Sequence, residues 1–325
     1  MTPDELHGLV AQLRAHPSVR SKLAIAGTTR SLGLDAAGAG RPGDDAAMIP
    51  TDGGFDLFAG EGFIPAFVAD DPWFAGWCGV MVNLSDIAAM GGRATALIDQ
   101  IWAPGEAAAA PVLAGLKAAA EAYGVPLVGG HTNLAAKELS LAVSVLGKVK
   151  SPITSFDARP GDVLIAAVDQ RGAYRNFDNF FAAADAPAER LRGDLALLPD
   201  LAEAGLVTAG KDISQGGLIG TALMLAECSG VGLAINLDAI EPPTGVLLAR
   251  WLVSFPSFGF LLTAASKTAP QIVARFAARS IAAAPVGRVV EGSSVTLTAG
   301  GHETTFWDHA AEPYLGLRPK ELCDA

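Results

Sequence analysis

Four short stretches of the chain combine carboxylates or paired glycines in ways that suit a divalent cation or a phosphate group. The first is Gly43-Asp44-Asp45-Ala46-Ala47. Adjacent carboxylates at a loop-to-strand junction point to opposite sides of an extended backbone, so one can bind metal while the other holds the loop. A solvated turn before a strand is the plainer alternative. Hard Mg²⁺ takes oxygen ligands, usually one or two carboxylates, with phosphate oxygens and waters completing the octahedron. The second stretch is Val82-Asn83-Leu84-Ser85-Asp86-Ile87-Ala88-Ala89-Met90-Gly91-Gly92. On a helix, Gly79, Asn83, Asp86 and Met90 share a face. Asn83 and Asp86, with Gly79 clearing space behind them, can offer oxygens to a buried ligand, or they can form an ordinary polar helix edge. Their apolar surroundings favour a partner, because unpaired burial is costly.

The third stretch, Gly129-Gly130-His131-Thr132-Asn133, follows a short predicted strand. Consecutive glycines allow close backbone approach, and exposed N–H groups suit phosphate. For the glycine pair by itself, a plain strand-to-loop turn is the simpler reading. The fourth, Asp212-Ile213-Ser214-Gln215-Gly216-Gly217-Leu218, opens a predicted helix. Ser214 can cap that helix, and the Gly-Gly start exposes amide donors to an anion. Capping alone also explains the serine.

The elements that must position these residues are legible in outline. A helix spans Pro3 to Ala15, and a glycine-rich loop covers residues 27 to 44. Short strands follow at Ala46 to Ile49 and Phe55 to Ala59. Pro72 to Met90 reads as a helix with one apolar stripe of Trp73, Trp77, Val80, Leu84 and Ile87. Ala94 to Trp102 is a strand, Glu106 to Tyr123 a helix, Pro126 to Val128 a short strand. Leu139 to Val149 alternates with period two, as in an antiparallel strand with one covered face. A boundary falls near Lys150 to Gly161, where Ser-Pro and Arg-Pro-Gly interrupt the pattern. This predicts two domains, 1–150 and 151–325. Beyond the boundary come a strand at Val163 to Val168, a helical region before Lys211 and a helix at about Gly217 to Cys228. Further strands are expected near Leu233 to Leu237, Phe258 to Thr263, Val286 to Val290 and Val295 to Leu297, with a helix near Ala269 to Arg279. Mixed helices and strands in both halves define an α+β or α/β class.

Composition narrows the options. Of 325 residues, 50% are hydrophobic and 18% charged, the mean hydropathy is +0.35, and the net charge is −11. That composition buries a core and excludes a disordered chain. The acidity argues against nucleic acid or an anionic membrane as partner. No apolar run is long enough for a membrane span, and the N-terminal segment carries Asp4 and Glu5 rather than a signal-peptide pattern. Cys78, Cys228 and Cys323 form no Cys-x-x-Cys pair, so neither a disulfide framework nor a zinc site is indicated, and a cytoplasmic location is expected.

Taken in order, the four motifs resemble the aminoimidazole ribonucleotide (AIR) synthetase-like superfamily, which includes thiamine-monophosphate kinase, selenophosphate synthetase and a hydrogenase-maturation carbamoyl dehydratase. Arg159-Pro160-Gly161-Asp162-Val163-Leu164 is similar to the start of that family's second domain. The resemblance covers roughly residues 20 to 300 and implies a two-domain α+β fold. Its N-terminal domains would pair into a β-barrel in a homodimer, its C-terminal domain would be an α/β sandwich, and ATP would occupy the cleft between domains. It implies ATP and Mg²⁺ as cofactors and a small polar metabolite as substrate, phosphorylated or otherwise activated, with thiamine-monophosphate kinase sharing the first two motifs best. It makes Asp44, Asp45, Asp86 and Asp212 metal or phosphate-site residues. Gly43, Asn83, Gly129, Gly130, Thr132, Ser214 and Gln215 would contact the nucleotide, and Glu61 and His131 would be catalytic.

Three departures from the family pattern bear on chemistry. Gly-Gly-Asp-Thr reads Gly-Gly-His131-Thr, Asp-Ile-Ser-Asp-Gly reads Asp-Ile-Ser-Gln215-Gly, and Gly76-Trp77-Cys78-Gly79 lacks the lysine that often precedes the helix motif. Each of the first two removes a negative ligand. His131 is then a neutral ligand, a proton acceptor, or a histidine that merely hydrogen-bonds in a degenerate loop. A nucleotide-binding maturation or regulatory protein without turnover is the alternative expectation. Acceptor pockets in the superfamily come from variable segments, here Gly27 to Arg41 and Gln170 to Phe181. Arg171 and Arg175 either meet an anionic substrate there or form a solvated basic loop. Cys323 reads as a tail thiol.

Overall fold

The computed structural model describes residues 1–34, 40, 42–175, 177–183 and 185–317, so Arg41 and Cys323 lie outside the described residues. In chain order the elements are α1 (Pro3–Ala15), α2 (Pro17–Ser21), α3 (Ile25–Ser31), β1 (Ala47–Thr51), β2 (Gly54–Gly62), α4 (Pro65–Asp70), α5 (Pro72–Ala89), β3 (Arg93–Trp102), α6 (Glu106–Tyr123), β4 (Leu127–Asn133) and β5 (Ser140–Val149). There follow β6 (Val163–Val168), β7 (Ala173–Tyr174), β8 (Asn179–Phe181), α7 (Ala188–Leu195), α8 (Leu197–Glu203), β9 (Ala209–Asp212), α9 (Gly217–Ser229) and β10 (Gly232–Asn236). The last are α10 (Leu248–Trp251), β11 (Phe255–Pro256), β12 (Gly259–Ala264), α11 (Ala269–Ala277), β13 (Ala282–Val290), β14 (Ser294–Ala299) and β15 (His302–Asp308).

The chain forms two compact units. One comprises Asp45–Pro152 with Asp185–Glu203; the other comprises Met1–Asp44, Ile153–Ala184 and Ala204–Ala325. A single cut near residue 150 therefore does not describe them. The helices α7 and α8 sit with the first unit for a visible reason. Arg192 donates from Nε to the Ala122 carbonyl (2.9 Å) and from Nη2 to the Glu121 carbonyl (2.7 Å), satisfying the last turn of α6. Arg93 pairs with Asp200 at 2.8 Å.

The Asp45–Pro152 unit is built on a five-stranded sheet of order β1-β2-β5-β3-β4. Only β3 and β4 are parallel, joined by the α6 crossover. Within the single chain this sheet is open, with β1 and β4 at its edges. Asp71 caps α5 by accepting from the Phe74 N–H at 3.3 Å, and Pro72 fills the first turn. Every residue from Phe74 to Ala89 is buried. The expected single apolar stripe is thus an all-round buried helix, the form an element takes when neighbours cover it on several sides. One of those neighbours is α6. A Cβ on Gly76 would stand 2.1 Å from the Val112 carbonyl oxygen, and one on Gly115 would stand 2.0 Å from that of Trp73. The two backbones touch where both side chains are hydrogen.

The other unit carries a seven-stranded sheet of order β15-β14-β10-β13-β6-β12-β9 and a small sheet β11-β8-β7. All six residues of β6 are buried, as in a strand covered on both faces. Leu164, Ala166 and Val168 join a core with the apolar residues of α9, while α11 packs against β6 and β13. The helix expected to reach Arg279 ends at Ala277. In the predicted acceptor segment Gln170 to Phe181, Arg171 donates from Nε at 2.7 Å and Nη2 at 3.1 Å to buried Asp169, which lies just before it. Arg171 is therefore an ion-paired side chain.

Candidate functional site

In the five-stranded unit the second motif lies in the last half of α5. Asn83 is fully buried and donates from Nδ2 to the Gly79 carbonyl at 2.7 Å, while its Oδ1 has no hydrogen-bond partner among the described residues. Asp86, one turn on, is buried as well, and one of its carboxylate oxygens lies within 4.8 Å of one from half-buried Asp45. At that separation two carboxylates repel by roughly 3 kcal/mol at an effective dielectric near 20. A cation between them reverses the sign. Gly79 does not clear space for a ligand: a Cβ there would meet Val143 Cγ2 at 2.9 Å, so the glycine lets α5 lie directly on β5.

The sheet sorts the remaining residues by face. Glu61 of β2 pairs with Val143 of β5, Val143 with Asp99 of β3, and Asp99 with Gly130 of β4. Residues paired across strands share a face, so Glu61 and Asp99 flank buried Val143 on the side that carries α5. His131 is one residue on from Gly130 and points the other way, beside Gln100, with its ring 6.2 Å from that of Trp102. Glu61 and His131, each expected to be catalytic, are on opposite faces of the sheet. Glu61 also lies inside β2 rather than after it. Asp99 was not anticipated from sequence; burial pushes its carboxyl above the ordinary value.

The third motif is not a loop. Gly129, Gly130, His131, Thr132 and Asn133 continue β4, because their backbone pairs with β3 from Ile98 to Trp102. The exposed N–H groups expected after a short strand are in an extended edge strand instead. Outward from this face stand Ile49, Phe58, Leu146, Ile98 and Trp102, each between 36% and 50% exposed.

In the seven-stranded unit, Asp44 accepts from the backbone N–H of Ser155 (3.1 Å) and from its hydroxyl (2.7 Å). Gly43 precedes it at φ +113°, and its carbonyl accepts from Lys211 Nζ at 3.3 Å. Lys211 and Asp212 are both buried at the end of β9. Ser214 does not cap α9: the N-cap is Gly216, with no side-chain cap, and the Ser214 carbonyl accepts from the Gly217 N–H at 2.9 Å. The Ser214 hydroxyl faces Lys22 Nζ at 3.4 Å, and Gln215 is exposed. Sequence reading missed Ser155, Lys211 and Lys22, which no motif marks.

Two mixed α/β units, one with an Asn-x-x-Asp helix under its sheet and the other with an Asp-Ile-Ser run entering a glycine-started helix, define an AIR synthase related protein. The chain belongs to that family: the model of its N-terminal domain matches residues 43–149 and that of its C-terminal domain residues 159–300. An uncharacterized protein of Synechocystis sp. is 45% identical over 279 residues, which cover 85% of this chain and 87% of that one. A thiamine-monophosphate kinase of Methanopyrus kandleri is 30% identical over 214 residues, covering 62% and 67% respectively. Among solved structures, T. maritima PurL complexed with ATP has a TM-score of 0.70 at 20% identity, covering 84% of this chain and 46% of that one. This chain thus spans about half the length of that PurL, and the likeness is one of fold.

Proposed function

We propose that the protein is an ATP- and Mg²⁺-dependent enzyme that transfers phosphate to, or activates, a small polar metabolite. The observation that carries this reading is the Asp45–Asp86 carboxylate pair, with Asn83 on the same helix as Asp86 carrying a buried Oδ1 that has no hydrogen-bond partner among the described residues. Oxygen donors of this kind fit Mg²⁺, which needs few protein ligands when phosphate and water complete its shell. The relatives support it: one is named as a thiamine-monophosphate kinase and another was solved with ATP.

On this reading Asp45 and Asp86 hold the ion, and Asp212 contributes a third carboxylate by its place in the fourth motif. The bound ion would supply neutralisation of phosphate charge, which phosphoryl transfer needs more than a covalent nucleophile. Asn83, fixed to Gly79, orients the helix turn that carries Asp86. Lys211 ties the acidic junction to β9 through the Gly43 carbonyl. Glu61, on the α5 side of the sheet, is the better placed of the two proposed catalytic residues; Gly129, Gly130 and Thr132 would meet a nucleotide along β4, and Ser214 and Gln215 at the start of α9. The test is ADP release by the purified chain with ATP and Mg²⁺ across a panel of small hydroxyl, amine and phosphate metabolites. Turnover with one of them is expected. Mg²⁺-dependent ATP binding with no turnover on any would favour the regulatory alternative, to which the loss of carboxylates at His131 and Gln215 points.

We further infer that the protein is a homodimer, in which the apolar face of Ile49, Phe58, Leu146, Ile98 and Trp102 meets its copy. Five large apolar side chains on one sheet face, next to an unpaired edge at β4, are a surface that association would cover. Light scattering at micromolar concentration should report about twice 33.2 kDa. A value near the single chain would remove this assembly.

A further inference from the structure

Glu227 is fully buried in α9, among residues that are otherwise apolar or small. Its carboxylate accepts from four consecutive backbone N–H groups. Tyr314 and Leu315 donate to Oε2 at 2.5 and 3.0 Å, and Gly316 and Leu317 donate to Oε1 at 2.6 and 3.1 Å. Charge-assisted bonds of this kind are the strong ones, and here they hold a segment that belongs to no helix or strand. Tyr314 is tied a second time, its hydroxyl donating to the Val19 carbonyl at 2.7 Å.

The segment ends against the acidic junction. A Cβ on Gly43 would stand 3.2 Å from Leu317 Cδ1 and 3.2 Å from the sulfur of Cys228, the residue after Glu227. The Cys228 thiol also donates to the Gly43 carbonyl, at 3.4 Å. Gly43 at φ +113° is where only glycine turns without strain, and its turn rests on a wall of Cys228 and Leu317. The next residue is Asp44, fastened by Ser155, and then comes Asp45.

We propose that Glu227 is the positioning residue of the acidic junction. By fastening Tyr314–Leu317 it seats Leu317 against Gly43, and so fixes the direction in which Asp44 and Asp45 leave the turn. In its metal consequence this rests on the reading of Asp45 as a ligand; the seating itself does not.

Two variants of the full chain test it. Glu227→Gln keeps the shape of the side chain, but its amide nitrogen would face two of the four N–H donors. Leu317→Ala keeps all four N–H bonds and removes the contact with Gly43. Backbone hydrogen exchange is followed at residues 314–317 and 44–46, and Mn²⁺ binding is titrated by electron paramagnetic resonance. Glu227→Gln is expected to speed exchange in both segments, and Leu317→Ala in residues 44–46. Both should weaken Mn²⁺ binding by about tenfold, the scale on which supports of metal ligands act. Faster exchange confined to 314–317 would overturn the proposal, as would unchanged exchange throughout. Unaltered Mn²⁺ affinity despite a loosened 44–46 would overturn its consequence for the metal. A wild-type chain that binds no Mn²⁺ would remove the metal reading of Asp45, while exchange at 44–46 still decides the seating. If Glu227→Gln does not fold, Leu317→Ala decides alone.

Discussion

Replacing Asp86 by asparagine is expected to weaken ATP binding in the presence of Mg²⁺ by roughly 100-fold, the upper end of what loss of even a supporting group costs a metal site. Binding without Mg²⁺ should stay unchanged. The reasoning is electrostatic. Asp86 and Asp45 bring two carboxylate oxygens within 4.8 Å, and the amide keeps the size of the acid while removing one of the two charges. A cation loses half of its charged donors in that pair, while packing of the buried helix is preserved. Calorimetry with and without Mg²⁺ separates the two contributions. An equal loss in both conditions would assign Asp86 to packing.

The second large effect is expected far from any carboxylate. Gly115→Ala should destabilise the five-stranded unit by about 3 kcal/mol, the top of the usual range for overpacking. The added carbon would stand 2.0 Å from the Trp73 carbonyl oxygen and 2.9 Å from the Trp77 nitrogen, both backbone atoms that no rotamer change moves aside. Helix α6 must then withdraw from α5 along the whole crossing. For a unit of about 130 residues, about 3 kcal/mol corresponds to a fall in Tm of roughly 10 °C. Because α5 carries Asn83 and Asp86, nucleotide binding should weaken along with stability. Gly8→Ala, where a Cβ would meet nothing within 4 Å, is the matching substitution that should leave both in place. A thermal scan showing equal melting for the two variants would deny the close crossing.

What could be read from sequence was local. Asp71-Pro72 and the glycines after Met90 bracket α5, and its ends were legible to within a residue. Alternation placed β5 correctly because one of its faces is covered and the pattern survives over ten residues. The failures share a cause, which is pairing at a distance. Gly129-Gly130 reads as a loop by local preference, and only the ladder with β3 makes it strand. The same pairing turns His131 away from Glu61, which no spacing in the sequence encodes. Ser214 looks like a cap, yet the chain places Gly216 at that position. Glu227 left one signal, a lone acid in the apolar run Ala222 to Cys228, and a buried charge must find partners. Those partners are backbone groups nearly ninety positions away, with no side-chain signature to find.

The discontinuous make-up of the units has a consequence for synthesis. Helix α1 is made before the other described elements, but Arg14 near its end hydrogen-bonds to the Phe306 carbonyl across 292 positions and to Glu312 beyond it. The helix begins with its own capping box, in which Thr2 and Glu5 exchange hydrogen bonds, so it can form early without tertiary help. Its apolar face, Leu6, Val10 and Leu13, must nevertheless wait for the last strands to be made. At about 5–20 residues per second that delay is on the order of 15–60 s, during which Asp45–Pro152 has time to fold. Nascent-chain folding therefore runs from the middle outward. Of the described elements, α1 is the one that waits longest for its partners.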